Sequence, residues 1–292
     1  MSHNPGCVVV PSRSSSALVA GLFAALVGSV AVAAETFSEG TFDPGSFSSV
    51  VVQGGLGGAS MLIQDPNGGN PGPYLLVQHT LPAGAPSGGF CANWVWSFVF
   101  IDGASVDPGA LGGIVAVDFA LDSKPTGGTA PLIVQSQLPA LRQDGRIYIG
   151  IGGTGVTPTV PGWSTTAIAN LGAASFFEMI NAPPCDFTGP GHPDFSPGGA
   201  LIELGFARGN STAFGGNAEP YSVMIGADAW SMTVHTCVAD LSQDGSVDGA
   251  DLGLLLANWG NAGAGDLDGN GAVDGADLGV LLSAWGPCPV GP

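Results

Sequence analysis

The C-terminal part of the sequence contains a close internal repeat, which limits what the chain can fold into more than any other feature. One copy begins at Asp240 and reads DLSQDGSVDGADLGLLLANWG; the other begins at Asp266 and reads DLDGNGAVDGADLGVLLSAWG. The copies are 26 residues apart and are identical at 14 of 21 aligned positions. A repeat this close predicts two copies of one small structural unit that pack against each other.

Each copy begins with a loop in which oxygen-bearing side chains alternate with other residues; we name these loop one (240–251) and loop two (266–277). Counted from the first Asp, the oxygens fall at positions 1, 3, 5, 9 and 12, and position 6 is Gly. These residues are Asp240, Ser242, Asp244, Asp248 and Asp251 in loop one, and Asp266, Asp268, Asn270, Asp274 and Asp277 in loop two. Calcium takes roughly six to eight oxygens, and EF-hand-type loops supply them at this spacing, with a backbone carbonyl at position 7. The sequence therefore predicts two Ca²⁺ sites, with the carbonyls of Ser246 and Ala272 as further ligands.

A helical pattern follows each loop. Leu and Trp recur at spacings of three, four and seven residues, which is the period of one helix face. They are Leu252, Leu255, Leu256 and Trp259 after loop one, and Leu278, Leu281, Leu282 and Trp285 after loop two. Gly260 and Gly286 are predicted to end the helices, and we expect the two apolar faces to pack together. An acidic, glycine-rich array of turns that binds no metal is the alternative interpretation.

A calcium loop with one outgoing helix, present twice, resembles the type I dockerin module. The resemblance covers about the last fifth of the chain and implies a small all-α domain over residues 237–292. It also implies calcium in both loops and helices that dock onto a cohesin-like protein. Dockerins read their partner at loop positions 10 and 11, where this chain has Gly249–Ala250 and Gly275–Ala276 and lacks the family's polar side chains. Position 12 is Asp, whereas EF-hand loops usually have Glu there.

The charge of the chain restricts its partners. The 292 residues carry a formal net charge of −18, with only five Lys and Arg. Eight of the 23 acidic residues belong to the two loops, and the remaining chain contains no basic patch. We therefore expect neither nucleic acid nor an anionic membrane surface as a partner.

The first 34 residues have the features of a targeting segment. Arg13 provides a positive charge, residues 17–32 are apolar and rich in Ala, and small residues precede Glu35 as in a signal-peptidase site. An uncleaved membrane anchor is the alternative. No later stretch is long and apolar enough to span a bilayer, so we expect a secreted or cell-surface protein without a membrane span in the mature chain.

Four cysteines remain after the predicted cleavage, because Cys7 is removed. An even number in an exported chain predicts disulfides, and three pairings can be drawn. We favour Cys237–Cys288, because these residues bracket the repeat, whose two ends should lie close together. Cys91–Cys185 would then stabilise the first domain, and free buried thiols are the alternative.

Residues 35–236 predict an antiparallel β-sandwich. The region has no helical periodicity, and short apolar runs alternate with turns rich in Gly, Pro, Asn and Asp, which is typical of such folds. The predicted strands are Ser49–Val52, Ser60–Gln64, Tyr74–His79, Asn93–Ile101, Ile114–Leu121, Leu132–Leu138, Arg146–Ile151, Leu201–Phe206, Tyr221–Ile225 and Trp230–His235. The strand around residues 94–100 is apolar at most positions, which predicts a central place in its sheet.

Two segments loosely resemble the jelly-roll, concanavalin-like sandwiches of exported bacterial proteins. One is the ending from Gly226 to His235, and the other is Asp194–Ser196 followed by Ile202–Phe206. The resemblance implies a lectin-like sandwich but identifies neither a ligand nor site residues. The fold class expected for the whole chain is therefore mainly β, with a β-sandwich followed by the small α-helical calcium-binding domain.

The sandwich region has no recognisable catalytic motif. A retaining glycosidase needs two carboxylates about 5 Å apart, but Glu178, Glu203 and Asp118 stand alone in the sequence. Glu203 is the strongest candidate for an acid in a concave face, although a solvent-facing edge position is the favoured explanation for it. His79, His192 and His235 are scattered, and the alternation of the last strand predicts that His235 is a surface residue. The catalytic residues, if there are any, stay unknown.

Aromatic side chains offer a second route to ligand recognition, because sugars stack on flat rings. Trp163 lies on a predicted loop and is the candidate platform, with a ring that only covers an edge of the core as the alternative. Trp94, Trp96 and Trp230 lie in strands and are expected in the core. Two function classes follow. The first is an exported protein that binds carbohydrate or another extracellular ligand and attaches through its tail; the second is a dockerin-bearing hydrolase of O-glycosyl bonds.

Overall fold

The computed structural model describes residues 34–83, 93–129, 135–156, 161–180, 189–212 and 219–288. Residues 1–33 of the predicted targeting segment lie outside this set, as do Cys91 and Cys185 of the second predicted disulfide. Within the described residues, no helix has the length and apolar character that crossing a membrane requires.

The described chain is mainly β, and two antiparallel sheets account for most of it. The first sheet has the order β10–β6–β13–β4–β3, and β1 also pairs with β13. Its strands are β1 (Ala34–Glu39), β3 (Ala59–Gly69), β4 (Gly72–Leu81), β6 (Ala116–Gly128), β10 (Ser164–Leu171) and β13 (Tyr221–His235). The predicted strands of this sheet are therefore confirmed, whereas β1 and β10 were not predicted.

The second sheet has the order β11–β8–β7–β12–β5–β2, and β9 also pairs with β7. Its strands are β2 (Phe47–Gly54), β5 (Trp94–Val106), β7 (Gln135–Gln143), β8 (Arg146–Gly150), β9 (Thr154–Val156), β11 (Phe176–Glu178) and β12 (Ile202–Ser211). A short 3₁₀ turn (Ala173–Ser175) precedes β11. Strand β5 lies between β12 and β2, which confirms the internal position predicted from its apolar sequence.

Strand β13 differs from the prediction of two separate strands. Residues 221–235 form one strand, with an irregularity in its pairing to β6 between Asp228 and Ser231. Ala229 has φ 46° at this point, which is a left-handed backbone that few non-glycine residues adopt. A β-bulge of this kind bends a strand without ending it, so the sequence suggested a turn where the strand continues.

The two sheets face each other across an apolar core that contains a layer of polar side chains. The main apolar cluster includes Phe119, Phe206 and Trp230, and a smaller one includes Leu81, Val95 and Val223. Between them along strands β4 and β5 lies what we call the polar layer. It consists of two hydrogen-bonded groups. One contains Ser60, Ser97, His79, Asn210 and Gln135. The other contains Arg208, Ser123 and Gln137.

Aromatic residues cover the other face of the second sheet. Trp94, Trp96, Phe98 and Phe100 alternate along β5 and are buried. A Cβ atom added to Gly54 would lie 2.4 Å from the Trp94 ring, and one added to Gly209 would lie 2.6 Å from the Trp96 ring. Each indole therefore packs directly on a glycine backbone, where any side chain would clash with it. Trp94, Trp96 and Trp230 are thus buried as expected.

The tail contains two short strands and two short helices. They are β14 (Ser246–Val247), α1 (Gly249–Ala257), α2 (Gly275–Ser283) and β15 (Gly286–Pro287). A small apolar cluster around Leu255, Leu281, Val247 and Val273 forms its core, and Val115 of the sandwich packs against that cluster. Cys237 and Cys288 form a disulfide with Cα atoms 5.8 Å apart, so the favoured pairing is confirmed.

Candidate metal centre

Loops one and two turn at their sixth position, as the sequence predicts. Gly245 has φ +90° and Gly271 has φ +97°, a backbone region that favours glycine. The turn directs the N–H groups of Gly245 and Gly271 to the first Asp of each loop, at 2.8 Å from Asp240 Oδ2 and 2.9 Å from Asp266 Oδ2. Each loop therefore folds around the carboxylate at its position 1.

The Asp at position 12 connects each loop to its helix. Asp251 and Asp277 are fully buried and lie in the first turn of α1 and α2. Asp251 Oδ2 accepts from the N–H of Asp248 at 2.7 Å, and Asp277 Oδ2 accepts from the N–H of Asp274 at 2.7 Å. Because the position-9 carboxylates also bond backbone N–H groups of the helices, both helices begin with a capping box.

The second oxygen of each position-12 Asp reaches back to the start of its loop. Asp251 Oδ1 accepts from the N–H of Ser242 at 2.7 Å. Asp277 Oδ1 accepts from the N–H of Leu267 at 2.6 Å and of Asp268 at 3.1 Å. Backbone hydrogen bonds, first that from Asp274, hold the pKa of Asp277 below its ordinary value, so this group favours the charged form that a cation requires.

Three carboxylates of loop two converge. Oxygen atoms of Asp266, Asp268 and Asp277 all lie within 4.8 Å of one another. In addition, Asp266 Oδ1 is buried and has no hydrogen-bond partner. Converging carboxylates with an unpaired oxygen form the donor set that a hard cation prefers, so these three residues could hold a metal ion.

Loop one has a similar arrangement with a different environment. Asp240 is only 8% exposed, and it accepts hydrogen bonds from Asp244 N at 3.1 Å and from Ser242 Oγ at 3.4 Å. Asp240 and Asp244 also line a cavity of about 710 Å³ that the sandwich completes with Ile114 and Phe195. Loop one therefore faces the sandwich, and its position 3 offers a hydroxyl where loop two has a carboxylate.

The other predicted ligands take part in local contacts. Asp248 and Asp274 accept from the N–H groups of Ala250 and Ala276 at 2.7 Å and 2.8 Å, as helix caps. Asn270 accepts from the N–H of Ala272 at 3.0 Å. Their role as metal ligands, and that of the carbonyls of Ser246 and Ala272, stays a prediction.

The apolar faces of the helices are only half used inside the tail. Leu255 and Leu281 are fully buried, but Leu256, Trp259, Leu282 and Trp285 are between 46% and 52% exposed. The expectation that the complete faces pack together is therefore wrong. Helix length accounts for the Trp residues: α1 ends at Ala257 and α2 at Ser283, so each Trp lies beyond the last helical turn. Leu256 and Leu282 lie within the helices, one residue after the buried Leu255 and Leu281, and so point about 100° away from the small core. We call these four side chains the exposed Leu–Trp set.

His235 and Asp118 are not the isolated residues that the sequence suggested. His235 is 7% exposed, and its Nε2 lies 2.8 Å from Asp118 Oδ2. Asp118 Oδ1 also accepts from the N–H of Asn170 at 2.8 Å. The prediction of a surface His235 is wrong because the ring is buried against Asp118 of the neighbouring strand β6. His79 is buried in the polar layer, and His192 contacts the carbonyl of Phe176 at 2.6 Å.

Glu203 also differs from the prediction. It lies on β12, between β7 and β5, and not on an edge strand. Its two carboxylate oxygens bond Nε and Nη2 of Arg142 at 2.5 Å each, and this guanidinium holds the pKa of Glu203 below its ordinary value. A carboxylate paired in this way is a structural ion pair, and it is poorly suited to act as a general acid.

A pair of acids that sequence reasoning missed lies on the outer face of the first sheet. Asp122 and Asp228 are opposite each other on β6 and β13 and are 7% and 1% exposed. Asn70 binds both, with its backbone N–H on Asp228 and its Nδ2 2.8 Å from Asp122 Oδ2. Burial raises the pKa of Asp228. Because both acids bind Asn70, the pair holds the β3–β4 turn in place. The sequence could have indicated this pair only through the long-range pairing of β6 with β13.

Trp163 is held in place at the edge of the same sheet. Its Nε1 donates to the carbonyl of Gly68 at 3.2 Å, and its ring meets Tyr74 edge to face at 5.4 Å. The ammonium of Lys124 lies 5.6 Å from the ring centroid. The side chain is half-buried, so part of the predicted platform is open and part is occupied by protein.

Comparisons with known proteins give only distant similarities. No protein-family model and no curated protein matches the chain. Among solved structures, a carbohydrate-binding module of the β-sandwich superfamily is 12% identical with a TM-score of 0.36, over 66% of this chain and 61% of that chain. The family 30 carbohydrate-binding module of a cellulosomal cellulase from Clostridium thermocellum is 12% identical with a TM-score of 0.35, over 67% and 96%. A protein of unknown function from Shewanella oneidensis is 10% identical with a TM-score of 0.34, over 73% and 91%.

The chain spans less than two thirds of the length of the first of these structures. Identities and TM-scores this low carry no argument about shared function. What the chain binds must therefore be argued from its own residues.

Proposed function

We propose that the tail of this protein binds two Ca²⁺ ions and attaches the sandwich to a protein partner in a dockerin-like manner. The observation that carries the proposal is the convergence of Asp266, Asp268 and Asp277, together with the unpaired Oδ1 of Asp266. Loop one repeats the same hydrogen-bond pattern around Asp240 and Asp251. When bound, the ion would neutralise carboxylates that otherwise repel one another and would fix the turn from which each helix starts.

Calcium titration of the full chain tests the metal sites. We expect two ions per chain, with Asp240→Ala weakening site one and Asp266→Ala weakening site two. Glu219→Ala, which removes an exposed acid of the sandwich, is the control and should leave both sites unchanged. If calorimetry at millimolar calcium detects no heat, and the Trp fluorescence does not change when calcium is added, the metal proposal is wrong.

The exposed Leu–Trp set supports the attachment to a partner. Each copy leaves one Leu and one Trp at equivalent positions that the tail's own core does not cover, and Leu254 of α1 is exposed as well. Large exposed side chains of this kind are typical of binding surfaces. Positions 10 and 11 of the loops are Gly and Ala, so the first residues of each helix present a small apolar surface without a hydrogen-bonding side chain. We propose a cohesin-like partner with an apolar face.

Binding to purified cohesin domains tests this part. We expect binding in calcium, loss in a chelator, and loss when Leu256→Asp and Leu282→Asp are combined. Leu56→Asp, which changes an apolar residue of the sandwich that is 77% exposed, should have no effect. If the chain takes up two calcium ions but binds no cohesin in the panel, the metal proposal survives and the cohesin-like partner does not.

For the sandwich we propose carbohydrate or another extracellular ligand, in an exported protein. The proposal rests on the lectin-like pattern of its strands and on the partly open ring of Trp163, and the Cys237–Cys288 disulfide suits an oxidising compartment. A glycan array should give signals that weaken in Trp163→Ala. Release of reducing sugars from a polysaccharide, lost when a carboxylate is changed, would instead favour the hydrolase.

A further inference from the structure

The junction between the sandwich and the tail differs from a flexible linker. Only residues 236–239 separate the end of β13 from the start of loop one. They contain neither Gly nor Pro, and three of the four, Thr236, Cys237 and Ala239, are buried. Flexible linkers between domains are exposed and rich in Gly, Pro or polar residues. The chain therefore passes from the sandwich into the tail through a short buried segment.

Backbone hydrogen bonds fix both ends of this segment. At the sandwich end, the N–H of Val115 donates to the carbonyl of His235 at 2.8 Å. At the tail end, the N–H of Asp240 donates to the carbonyl of Cys237 at 3.1 Å. Cys237 is also joined to Cys288 by the disulfide. The first predicted ligand of loop one is thus tied through its backbone to a residue that has little freedom to move.

The side chain of Val115 connects the sandwich to the core of the tail. It packs against the apolar cluster that contains Val247, Leu255 and Val273. Val247 is fully buried and is position 8 of loop one, between two of the predicted calcium ligands, and Leu255 lies on the helix that this loop starts. The folding of loop one therefore places Val247 in the same cluster that Val115 of the sandwich contacts.

We propose that the sandwich and the calcium-bound tail unfold together, so that calcium bound in loop one stabilises the sandwich as well as the tail. This inference rests on the calcium site proposed above. The free energy of binding an ion becomes folding free energy for every part of the chain that unfolds with the site. Beside the junction, a cavity of about 710 Å³ lies between loop one and the sandwich, so the coupling runs through the junction and Val115.

The positions of the six Trp residues allow the sandwich to be observed separately within the full chain. Four of them, Trp94, Trp96, Trp163 and Trp230, belong to the sandwich, and the other two belong to the tail. The double variant Trp259→Phe and Trp285→Phe therefore restricts Trp fluorescence to the sandwich. The two replaced rings are about half exposed, so their loss should not disturb the fold.

Chemical denaturation of this double variant at a series of calcium concentrations tests the inference. Above the dissociation constant, each tenfold rise in free calcium should raise the folded-to-unfolded ratio of the sandwich about tenfold for one linked ion. Calorimetry on the same protein measures calcium uptake. Uptake without any change in the unfolding of the sandwich would overturn the inference and leave the calcium proposal standing, whereas absence of uptake would overturn both.

Substitutions in the double variant locate the coupling. Val115→Asp places a carboxylate against the apolar cluster, so it should keep calcium uptake and lose most of the calcium dependence of the sandwich. Val51→Asp, at a position of β2 that is 44% exposed, is the matched control and should keep both. Asp266→Ala, which leaves site one, should retain the dependence, and Asp240→Ala should remove most of it. Full dependence in Val115→Asp or in Asp240→Ala would contradict the proposed route.

Hydrogen exchange of the unaltered protein gives a second measurement, which holds even if a variant does not fold. The most slowly exchanging amides of β6 and β13 should exchange about tenfold more slowly in calcium than in a chelator. The amides of α1 should also slow, which reports the folding of the tail. Unchanged exchange in β6 and β13 together with slower exchange in α1 would show that the tail folds on its own, and the inference would be wrong.

Discussion

Loop one and loop two have nearly the same sequence but are held in place in different ways. Behind loop two lies the segment that links the copies: Gly260 N donates to the carbonyl of Val273 at 2.8 Å, and Val273 N donates to that of Asn261 at 2.9 Å. Behind loop one lies β15, where Val247 pairs with Gly286 and Ser246 with Pro287. Each loop is thus supported by the segment that follows the other copy's helix.

The difference between the loops is one of chain connectivity. The support of loop two is a linker that is continuous with both helices, whereas the support of loop one follows the last helix and is tied to residue 237 by the disulfide. Cys288 N donates to the carbonyl of Gly245 at 2.9 Å, and Cys288 Sγ lies 3.6 Å from Asp240 Oδ2. The disulfide to Cys237 therefore holds the segment that supports loop one.

Removing the disulfide should therefore affect loop one far more than loop two. The bond closes a loop over a sequence separation of 51 residues, and the chain-entropy argument gives about 4 kcal/mol of stabilisation for that length. In the double variant Cys237→Ser and Cys288→Ser, we expect the calcium affinity of site one to fall by roughly tenfold or more, since binding is coupled to folding. Site two should change much less.

Calcium titration of the double variant, repeated with Asp240→Ala or Asp266→Ala to isolate each site, measures this. The single variant Cys288→Ser serves as a control and should behave like the double variant. Equal losses at the two sites would show that chain connectivity does not distinguish the loops.

In both copies, replacing the buried Leu should lower the stability of the fold much more than replacing the exposed Leu. Leu255 and Leu281 are fully buried at equivalent positions, so Leu→Ala at either should cost about 3 kcal/mol through lost burial and a cavity. Leu256 and Leu282 are each 52% exposed, and Leu→Ala there should stay within about 0.5 kcal/mol. Chemical denaturation followed by Trp fluorescence measures all four variants. A large loss at Leu256 or Leu282 would mean that those residues are packed inside the folded protein.

Local sequence was sufficient to predict those features that depend on few neighbouring residues. The turn at Gly245 needs only a residue that tolerates positive φ, and the start of α1 needs only Asp248 and Asp251 three residues apart. The sequence periodicity also predicted the buried Leu255. It failed for Trp259, because the helix ends at Ala257 and hydrophobic periodicity alone does not show where a helix ends.

Features that depend on long-range pairing could not be predicted. The position of Asp228 opposite Asp122 depends on how β13 pairs with β6 and on the bulge at Ala229, which nothing nearby in the sequence indicates. The partner of Glu203 is Arg142, 61 residues away, and the complete burial of Arg208 is visible only once both sheets are assembled. A buried Arg and a surface Arg have the same one-letter code, and only the fold separates them.

The hydrogen bonds of the position-12 carboxylates should make loop two the more sensitive loop when metal is absent. Asp277 accepts from three backbone N–H groups, those of Leu267, Asp268 and Asp274, whereas Asp251 accepts from those of Ser242 and Asp248. In a chelator, we expect Asp277→Ala to lower the thermal midpoint of the tail by roughly 4–8 °C more than Asp251→Ala. Thermal melts followed at 222 nm measure this, and equal shifts would refute it.

Placing the position-3 residue of each loop in the other loop should change the calcium affinity of both sites in opposite directions. Ser242 offers a neutral hydroxyl and Asp268 a carboxylate, and the number of charged ligands tunes calcium affinity in such loops. Ser242→Asp should therefore raise the affinity of site one by about tenfold, or about 1.4 kcal/mol, and Asp268→Ser should lower that of site two by a similar factor. In a chelator, Ser242→Asp should lower the stability of the apo tail, because the added carboxylate repels Asp240. Asp268→Ser should raise that stability, because it removes a carboxylate from loop two. Ser242→Asn, which replaces the hydroxyl with an uncharged amide oxygen, is the control and should give a smaller gain. If Ser242→Asp binds calcium no more tightly than the unaltered chain, position 3 does not contribute a ligand and the two loops differ only in how they are supported.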